Sequence, residues 1–179
     1  MYRITIRTNF AILRQGVELI DKEILFPRLA TLVIWLLITF GMLLHFLLIP
    51  MLSLELPASY IEFRGDGVLI QLLLSSITLA TQMTLLSIYL LLRRIIKGEL
   101  ISVISVKWVN VLAGSAFAFT GLLVALLSWL TSQEAAGPAI AFGLIGGILI
   151  GATVTLVTLS LKFVLQDAIA NHQELEAVI

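Results

Sequence analysis

The sequence contains no cysteine among its 179 residues. Disulfide bonds, thiolate metal sites and cysteine nucleophiles are therefore all excluded. Charged residues are also scarce, at 12% of the chain, whereas soluble domains carry about 25%. The two signs balance to a formal net charge of zero, which argues against a basic nucleic-acid-binding protein. We therefore predict no direct nucleic-acid partner.

The sequence also lacks the short motifs of the common enzyme and nucleotide-binding classes. It has no HExxH, GxSxG, P-loop or dinucleotide-binding pattern. Its long apolar runs contain no acidic residue, so the paired carboxylates used in acid–base catalysis are missing from them. We therefore predict that the protein is not an enzyme and has no catalytic residues, no cofactor and no metal site.

Apolar residues dominate what remains, at 60% of the chain, and the mean hydropathy is +1.10. A helix needs about 20 apolar residues to cross the core of a bilayer. Four runs without Asp, Glu, Lys or Arg reach that length, at residues 29–50, 68–92, 109–130 and 139–161. The predicted fold class is all-α: a polytopic membrane protein, built as an antiparallel bundle of four transmembrane helices in a single domain over residues 1–179.

Three segments lie outside these runs. Residues 1–28 have apolar side chains spaced three and four apart, which predicts an amphipathic helix at the membrane interface. Residues 93–107 form a basic connector. Residues 162–179 keep a helical apolar spacing without a helix breaker, so we expect the fourth helix to continue as an amphipathic extension.

The positions of Lys and Arg predict the topology, because these residues collect on the cytoplasmic side of membrane proteins. All eleven except Arg64 lie in the N-terminal segment, in the basic connector or just beyond the fourth run. Four spans with both termini in the cytoplasm satisfy this distribution. We therefore predict a multi-pass protein of the cell inner (cytoplasmic) membrane, with the lipid bilayer as its first partner.

Small residues recur at intervals of three or four along the third and fourth runs. Helices associate closely in lipid where small side chains let their backbones approach. The predicted contact consists of six residues: Gly114, Ala118, Gly121, Gly143, Gly147 and Gly151. Because the turn between the two runs is short, a contact within one chain is favoured over a homodimer seam. Assembly into a homo- or hetero-oligomer stays open.

Polar residues form a stripe on one face of the second run, and one histidine lies in the first run. The five positions are His45, Gln71, Ser75, Thr78 and Gln82. Polar side chains are costly in lipid, so this face is expected to turn inward. The stripe then either forms hydrogen bonds between helices or lines a small polar cavity. Both interpretations remain open from the sequence.

Two segments resemble a known family. The segment IIKGELISVISVKWVNVL, at residues 95–112, is similar to a "GE-hydrophobic-S…NV…L" pattern in small bacterial four-helix membrane proteins. The C-terminal QELEAVI is similar to the "ELEGVI" end of the same family, which is the domain of unknown function 2975 family. This chain departs from the pattern at Ile101, where phenylalanine is usual, and at Ala177, where glycine is common.

The resemblance implies an integral membrane protein without an assigned activity. Members are often encoded beside a small helix-turn-helix regulator, which implies a cytoplasmic protein partner of that kind. We expect the basic connector and the acidic C-terminal segment to adjoin and form the partner surface. Its members would be Arg93, Arg94, Lys97, Glu99, Glu174 and Glu176. Exposed ion pairs contribute about 0 to 1 kcal/mol each, so they would orient the C-terminal segment more than stabilise the bundle.

Three functions follow from these features. The leading hypothesis is a non-enzymatic, membrane-anchored regulatory or interaction partner that acts through its cytoplasmic face. The first alternative is a small transport or immunity-type protein that uses a polar intramembrane cavity. The second alternative is a structural subunit of a larger membrane complex.

Overall fold

The computed structural model describes residues 26–176, and this part of the chain is almost wholly helical. Its four long helices are α1 (Phe26–Ser59), α2 (Gly67–Ile96), α3 (Val103–Ser132) and α4 (Pro138–Glu176). Each helix is long and apolar enough to cross a membrane, and the described residues contain no strand. The predicted all-α membrane bundle is thereby confirmed. The amphipathic helix predicted within residues 1–28 falls almost entirely outside the described residues.

Helix α1 is longer than predicted, because Pro50 does not end it. The proline ring cannot donate a backbone hydrogen bond, and it clashes with the carbonyl of the fourth residue before it in a regular helix. A π-helical turn at Leu44–Leu48 ends two residues before Pro50, and the Ile49 amide donates across it to the Leu44 carbonyl. This wider turn moves the preceding carbonyls, so the helix passes Pro50 and continues to Ser59.

The basic connector is shorter than the predicted residues 93–107. Helix α2 continues to Ile96, and α3 begins at Val103, which leaves residues 97–102 between them. Arg93 and Arg94 belong to the last turn of α2, where positive charge is favourable at the negative end of the helix dipole. We call the end of the bundle that carries residues 97–102 the connector end.

The helices pack in chain order, with α2 against α1, α3 against α2 and α4 against α3. Short connections make consecutive helices antiparallel neighbours. The described part of α1 therefore starts at the connector end, and α4 finishes there. The opposite end is held by the loop between α1 and α2, since Phe63 stacks on Trp129 with ring centroids 5.5 Å apart. Gln133 Nε2 also donates to Asp66 Oδ2 at 3.2 Å.

Candidate functional site

The turn at the connector end is built from the residues of the GE…S pattern. Gly98 has a φ of +70°, a left-handed conformation that side chains disfavour. Its amide donates to the Ile95 carbonyl, and the Glu99 amide donates to the Arg94 carbonyl. These two bonds form a Schellman motif that closes α2. Ser102 then begins α3 as its N-cap, accepting from the Ser105 amide at 3.3 Å.

Arg94 ties the two ends of this turn together. Its Nη1 donates to Ser102 Oγ at 3.2 Å and lies 3.7 Å from the Glu99 carboxylate. Ser105 is fully buried beneath the turn and donates to the Glu99 carbonyl at 3.4 Å. The spacing of Gly, Glu and Ser in this segment therefore follows from the hydrogen bonds of one rigid turn.

A hydrophobic cluster lies directly under this turn. Leu91 of α2, Val109 and Leu112 of α3, and Leu165 of α4 are its buried members. Leu100 of the connector and Ile169 of α4 both pack against the cluster. The connector and the C-terminal part of α4 are thus held at one end of the bundle by shared apolar contacts.

Among the side chains that the structure describes, no ion pair joins the connector to the acidic C-terminal segment. Arg94, in the last turn of α2, instead pairs with Glu99 of the connector. Arg93, Lys97 and Glu174 are exposed, and the side chain of Glu176 lies outside what the structure describes. Apolar packing stabilises the contact between the connector and α4 more than exposed charges do, because water screens exposed charges whereas the cluster excludes water.

Helix α4 extends far beyond one bilayer crossing. Its 39 residues span about 58 Å at 1.5 Å per residue, whereas the hydrocarbon core of a bilayer is about 30 Å thick. One side of the C-terminal part faces the cluster through Leu165 and Ile169. The other side carries exposed polar residues, which are Gln166, Asp167, Asn171, Gln173 and Glu174. The extension predicted from the sequence is therefore a direct continuation of the fourth helix.

An apolar cavity of about 450 Å³ lies at the connector end. Side chains from all four helices and the connector line it, including Ala30, Ile88, Leu100, Leu112 and Leu165. A second cavity, of about 130 Å³, lies deeper between α2, α3 and α4, beside Thr84, Ala116 and Gly151. Ile88 and Leu112 are one helical turn from Thr84 and Ala116. The two cavities therefore follow one another along the same helix faces.

Gln82 of the polar stripe links two helices rather than lining either cavity. Its Nε2 donates to the Ile38 carbonyl of α1 at 3.1 Å. Gly41 makes room for this contact, because a Cβ there would overlap the amide nitrogen of Gln82. The other stripe residues lie differently: Thr78 donates to the Leu74 carbonyl of its own helix at 2.8 Å.

Ser75 is partly buried and Gln71 is exposed, so the four stripe residues do not share one buried environment. The observed contacts favour interhelical hydrogen bonding over a polar cavity. His45 lies in the π-helical turn, with its ring edge-on to Phe46 at a centroid distance of 5.1 Å. Its Nδ1 and the Oε1 of Gln82 are buried, and neither has a hydrogen-bond partner within the described residues.

The glycine face of α4 meets α3 at Gly147 and Gly151, two of the six residues named from the sequence, but the α3 residues that they meet differ from those predicted. A Cβ on Gly147 would lie 2.9 Å from Leu123 Cδ1, and one on Gly151 would lie 3.3 Å from Phe119 Cδ1. It would also overlap the Thr120 hydroxyl. The contact therefore places the glycines of one helix against larger side chains of the other.

The other four predicted contact residues lie elsewhere. Gly114, Ala118, Gly121 and Gly143 are all exposed, and a Cβ on any of the three glycines would meet nothing within 4 Å. Large side chains of α3 fill the space above the glycines of α4, while the small-residue stripe of α3 faces outward.

A hydrogen bond between side chains of α2 and α3 was not predicted. The hydroxyls of Thr84 on α2 and Ser115 on α3 are 2.9 Å apart. Both residues are small polar positions inside apolar runs, which is the signal that could have identified them. Their periodicity alone does not say which helix supplies the partner.

The four apolar helices define a multi-pass integral membrane protein. A family model described as "Protein of unknown function (DUF2975)" matches residues 23–179. Because the match covers most of the chain, the protein belongs to this family, and the resemblance seen in the sequence is confirmed. Comparison with curated proteins and with solved structures found no match.

Proposed function

We propose that the protein is a non-enzymatic, membrane-anchored interaction partner whose connector end binds a protein in the cytoplasm. The observation that carries the proposal is the C-terminal part of α4. It continues as helix beyond a bilayer's thickness, and Leu165 and Ile169 anchor it beside the connector. A helix held in this way presents its exposed polar side chains in a fixed orientation, so a partner need not order them on binding.

The charges of the connector end support a protein partner that has both signs on its own surface. Arg93 and Lys97 are exposed on one side of the cluster, and Asp167 and Glu174 are exposed on α4. Such rim charges contribute to the rate and specificity of association more than to affinity. A small helix-turn-helix regulator is the partner that the family resemblance suggests.

The proposed function requires that the connector end and both termini lie in the cytoplasm, with the helices in the inner membrane of the cell. The Lys and Arg distribution supports this orientation, with Arg64 alone on the opposite side. Because the chain has no cysteine, the labelling of single introduced cysteines measures this orientation directly. Asn171→Cys should react with a membrane-impermeant maleimide only after the membrane is permeabilised, whereas Ser59→Cys should react in intact cells.

Co-purification tests the partner itself. The wild-type protein, extracted from native membranes in mild detergent, should retain one soluble polypeptide in a fixed ratio. The variant Asp167→Lys/Glu174→Lys should lose it, because it reverses two exposed negative charges of α4. Glu62→Lys, an exposed reversal at the opposite end, is the matched control and should retain it. Retention by the α4 variant, or no stoichiometric partner for the wild type, contradicts the proposal.

A second candidate function is that of a structural subunit in a larger membrane complex. The supporting observation is the outward-facing stripe of Gly114, Ala118 and Gly121 on α3, a surface that suits close approach of another helix. Gly121→Leu should then dissociate the complex in native gels while the helical content of the protein stays unchanged. Val157→Phe, at an exposed large residue of α4, is the control.

A further inference from the structure

Helix α1 carries its one histidine deep inside the membrane. Because α1 passes Pro50, His45 is not close to an end of the helix. It lies 17 residues after Arg28 and 10 residues before Glu55, the nearest charged residues of α1, which corresponds to about 26 Å and about 15 Å of helix. An ionisable side chain at this depth is rare and marks a candidate functional site. His45 also lies in the π-helical turn at Leu44–Leu48, a local geometry that is frequent at functional sites.

Gln82 lies at a similar depth on α2. It is 16 residues after Asp66 and 11 residues before Arg93, the nearest charged residues of the chain on either side. Its Nε2 donates to the Ile38 carbonyl at 3.1 Å, and this bond establishes which end of the carboxamide is the oxygen. The Oε1 atom can therefore only accept a hydrogen bond. It is buried, and no group within the described residues donates to it.

The side chains of His45 and Gln82 converge on Gly41. A helical side chain leans towards the N-terminus and covers the turn before its own Cα, so His45 covers the turn that contains Gly41. Because α2 is antiparallel to α1, Gln82 leans along α1 in the opposite direction, and its Oε1 lies 3.7 Å from the position of a Cβ on Gly41. The Nδ1 of His45 is also buried without a hydrogen-bond partner in the described part of the chain. Two polar atoms that lack partners therefore lie at the same place between α1 and α2.

The chemistry of these two atoms identifies the molecule that they bind. Gln82 Oε1 needs a donor, while an imidazole Nδ1 either donates or accepts, depending on its tautomer. Water can do both, and buried waters typically bond to polar atoms that have no protein partner. A metal ion does not fit, because His45 belongs to no group of three or more His, Cys, Asp or Glu side chains that could hold one among the described residues.

We propose that one ordered water molecule binds between α1 and α2, where it donates a hydrogen bond to Gln82 Oε1 and forms a second one with His45 Nδ1. The water extends the bond from Gln82 to Ile38 into a polar network that joins the two helices. It also hydrates an ionisable side chain within the hydrocarbon layer. The site is far from the connector end, so it does not depend on the proposed protein partner.

Nuclear magnetic resonance of the full chain in lipid nanodiscs tests this site. The chain has only two histidines, so labelling with ¹³C-histidine gives two ring signals, and His172→Gln identifies the one that belongs to His45. The ring Hε1 proton is adjacent to Nδ1. A long-lived water at Nδ1 should therefore give a cross-relaxation peak between water and the Hε1 proton of His45.

Gln82→Met removes the acceptor with little change in side-chain length, and it should reduce this peak at least five-fold. The matched control is Gln71→Met, the same substitution at an exposed position of α2, which should leave the peak unchanged. Circular dichroism establishes whether Gln82→Met keeps its helical content; if it does not, the wild-type spectrum decides the question alone. The absence of a peak between water and His45 in the wild type, or an undiminished peak in a folded Gln82→Met protein, would overturn the proposal.

Thermal unfolding of the His45→Phe variant tests the shared water independently. His45→Phe should lower the unfolding temperature in the wild-type background and in the Gln71→Met background. It should have no further effect in the Gln82→Met background, because the water has already lost its acceptor there. Equal losses in all three backgrounds would show that His45 and Gln82 do not share a water.

Discussion

The contact between α3 and α4 makes opposite predictions for two glycines of the same helix. Gly151 is buried against Thr120 and Phe119, whereas Gly143 has open space around it. Replacing glycine by alanine inside a helix gains about 1 kcal/mol from backbone propensity alone. At Gly143 nothing opposes that gain, so Gly143→Ala should raise the free energy of unfolding by up to about 1 kcal/mol.

At Gly151 the added methyl group has no room. It would overlap the Thr120 hydroxyl, which cannot rotate away without losing its 2.9 Å hydrogen bond to the Ala116 carbonyl. Overpacking of this kind costs about 1–3 kcal/mol. After the propensity gain is subtracted, Gly151→Ala should be neutral or destabilising by up to about 2 kcal/mol. The difference between the two variants isolates the overpacking cost, because the propensity gain cancels.

Thr120→Ala tests whether the Thr120 hydroxyl causes the overpacking cost at Gly151. It removes the hydroxyl that the new methyl would strike, so Gly151→Ala should be less harmful in its presence by about 1 kcal/mol or more. The assay is reversible unfolding in mixed micelles, followed by far-UV circular dichroism, for all four members of the cycle. If Gly151→Ala stabilised the protein as much as Gly143→Ala, or if Thr120→Ala did not couple to it, the described α3–α4 contact would be wrong.

Five further substitutions have expected effects on the free energy of unfolding. Glu134 has a φ of +55° just after α3, so Glu134→Gly should stabilise the protein by up to about 1 kcal/mol. Gly98→Ala, at a glycine with a φ of +70°, should cost about as much. Arg94→Gln removes both contacts across the connector and should cost about 1 kcal/mol, whereas Arg93→Gln, its exposed neighbour, should change nothing measurable. Gly147→Leu should unfold the bundle itself, and size-exclusion chromatography that instead showed a folded monomer with lost self-association would contradict the intramolecular contact.

The helices and their approximate positions were predictable because the bilayer demands long uncharged runs. Their ends were less so. Pro50 is a reliable stop in soluble helices, yet here a π-helical turn passes it, and such a turn has no distinct sequence signal. The helices also run past the apolar runs at both sides of the connector, because Arg93 and Lys107 are good helix formers outside lipid.

The candidate surface was predictable in part. The continuous extension of α4 followed from the periodicity around Leu165, and the structure adds that Ile169 and Leu100 fix it to the connector. The charge pattern alone did not indicate that Arg94 pairs with Glu99 of the connector. Small-residue stripes identified the helices that pack but not their faces, because a glycine face selects large neighbours as readily as small ones.

Site-specific photo-crosslinking in native membranes tests most directly whether the connector end is a protein-binding surface. A photoreactive residue at Asn171, exposed on α4, should form one discrete adduct with a soluble polypeptide. The same residue at Ser59, exposed at the opposite end, should form none. Introducing Asp167→Lys/Glu174→Lys should abolish the Asn171 adduct. An Asn171 position that yields no adduct, or one that is unchanged by the charge reversal, would contradict the proposed function.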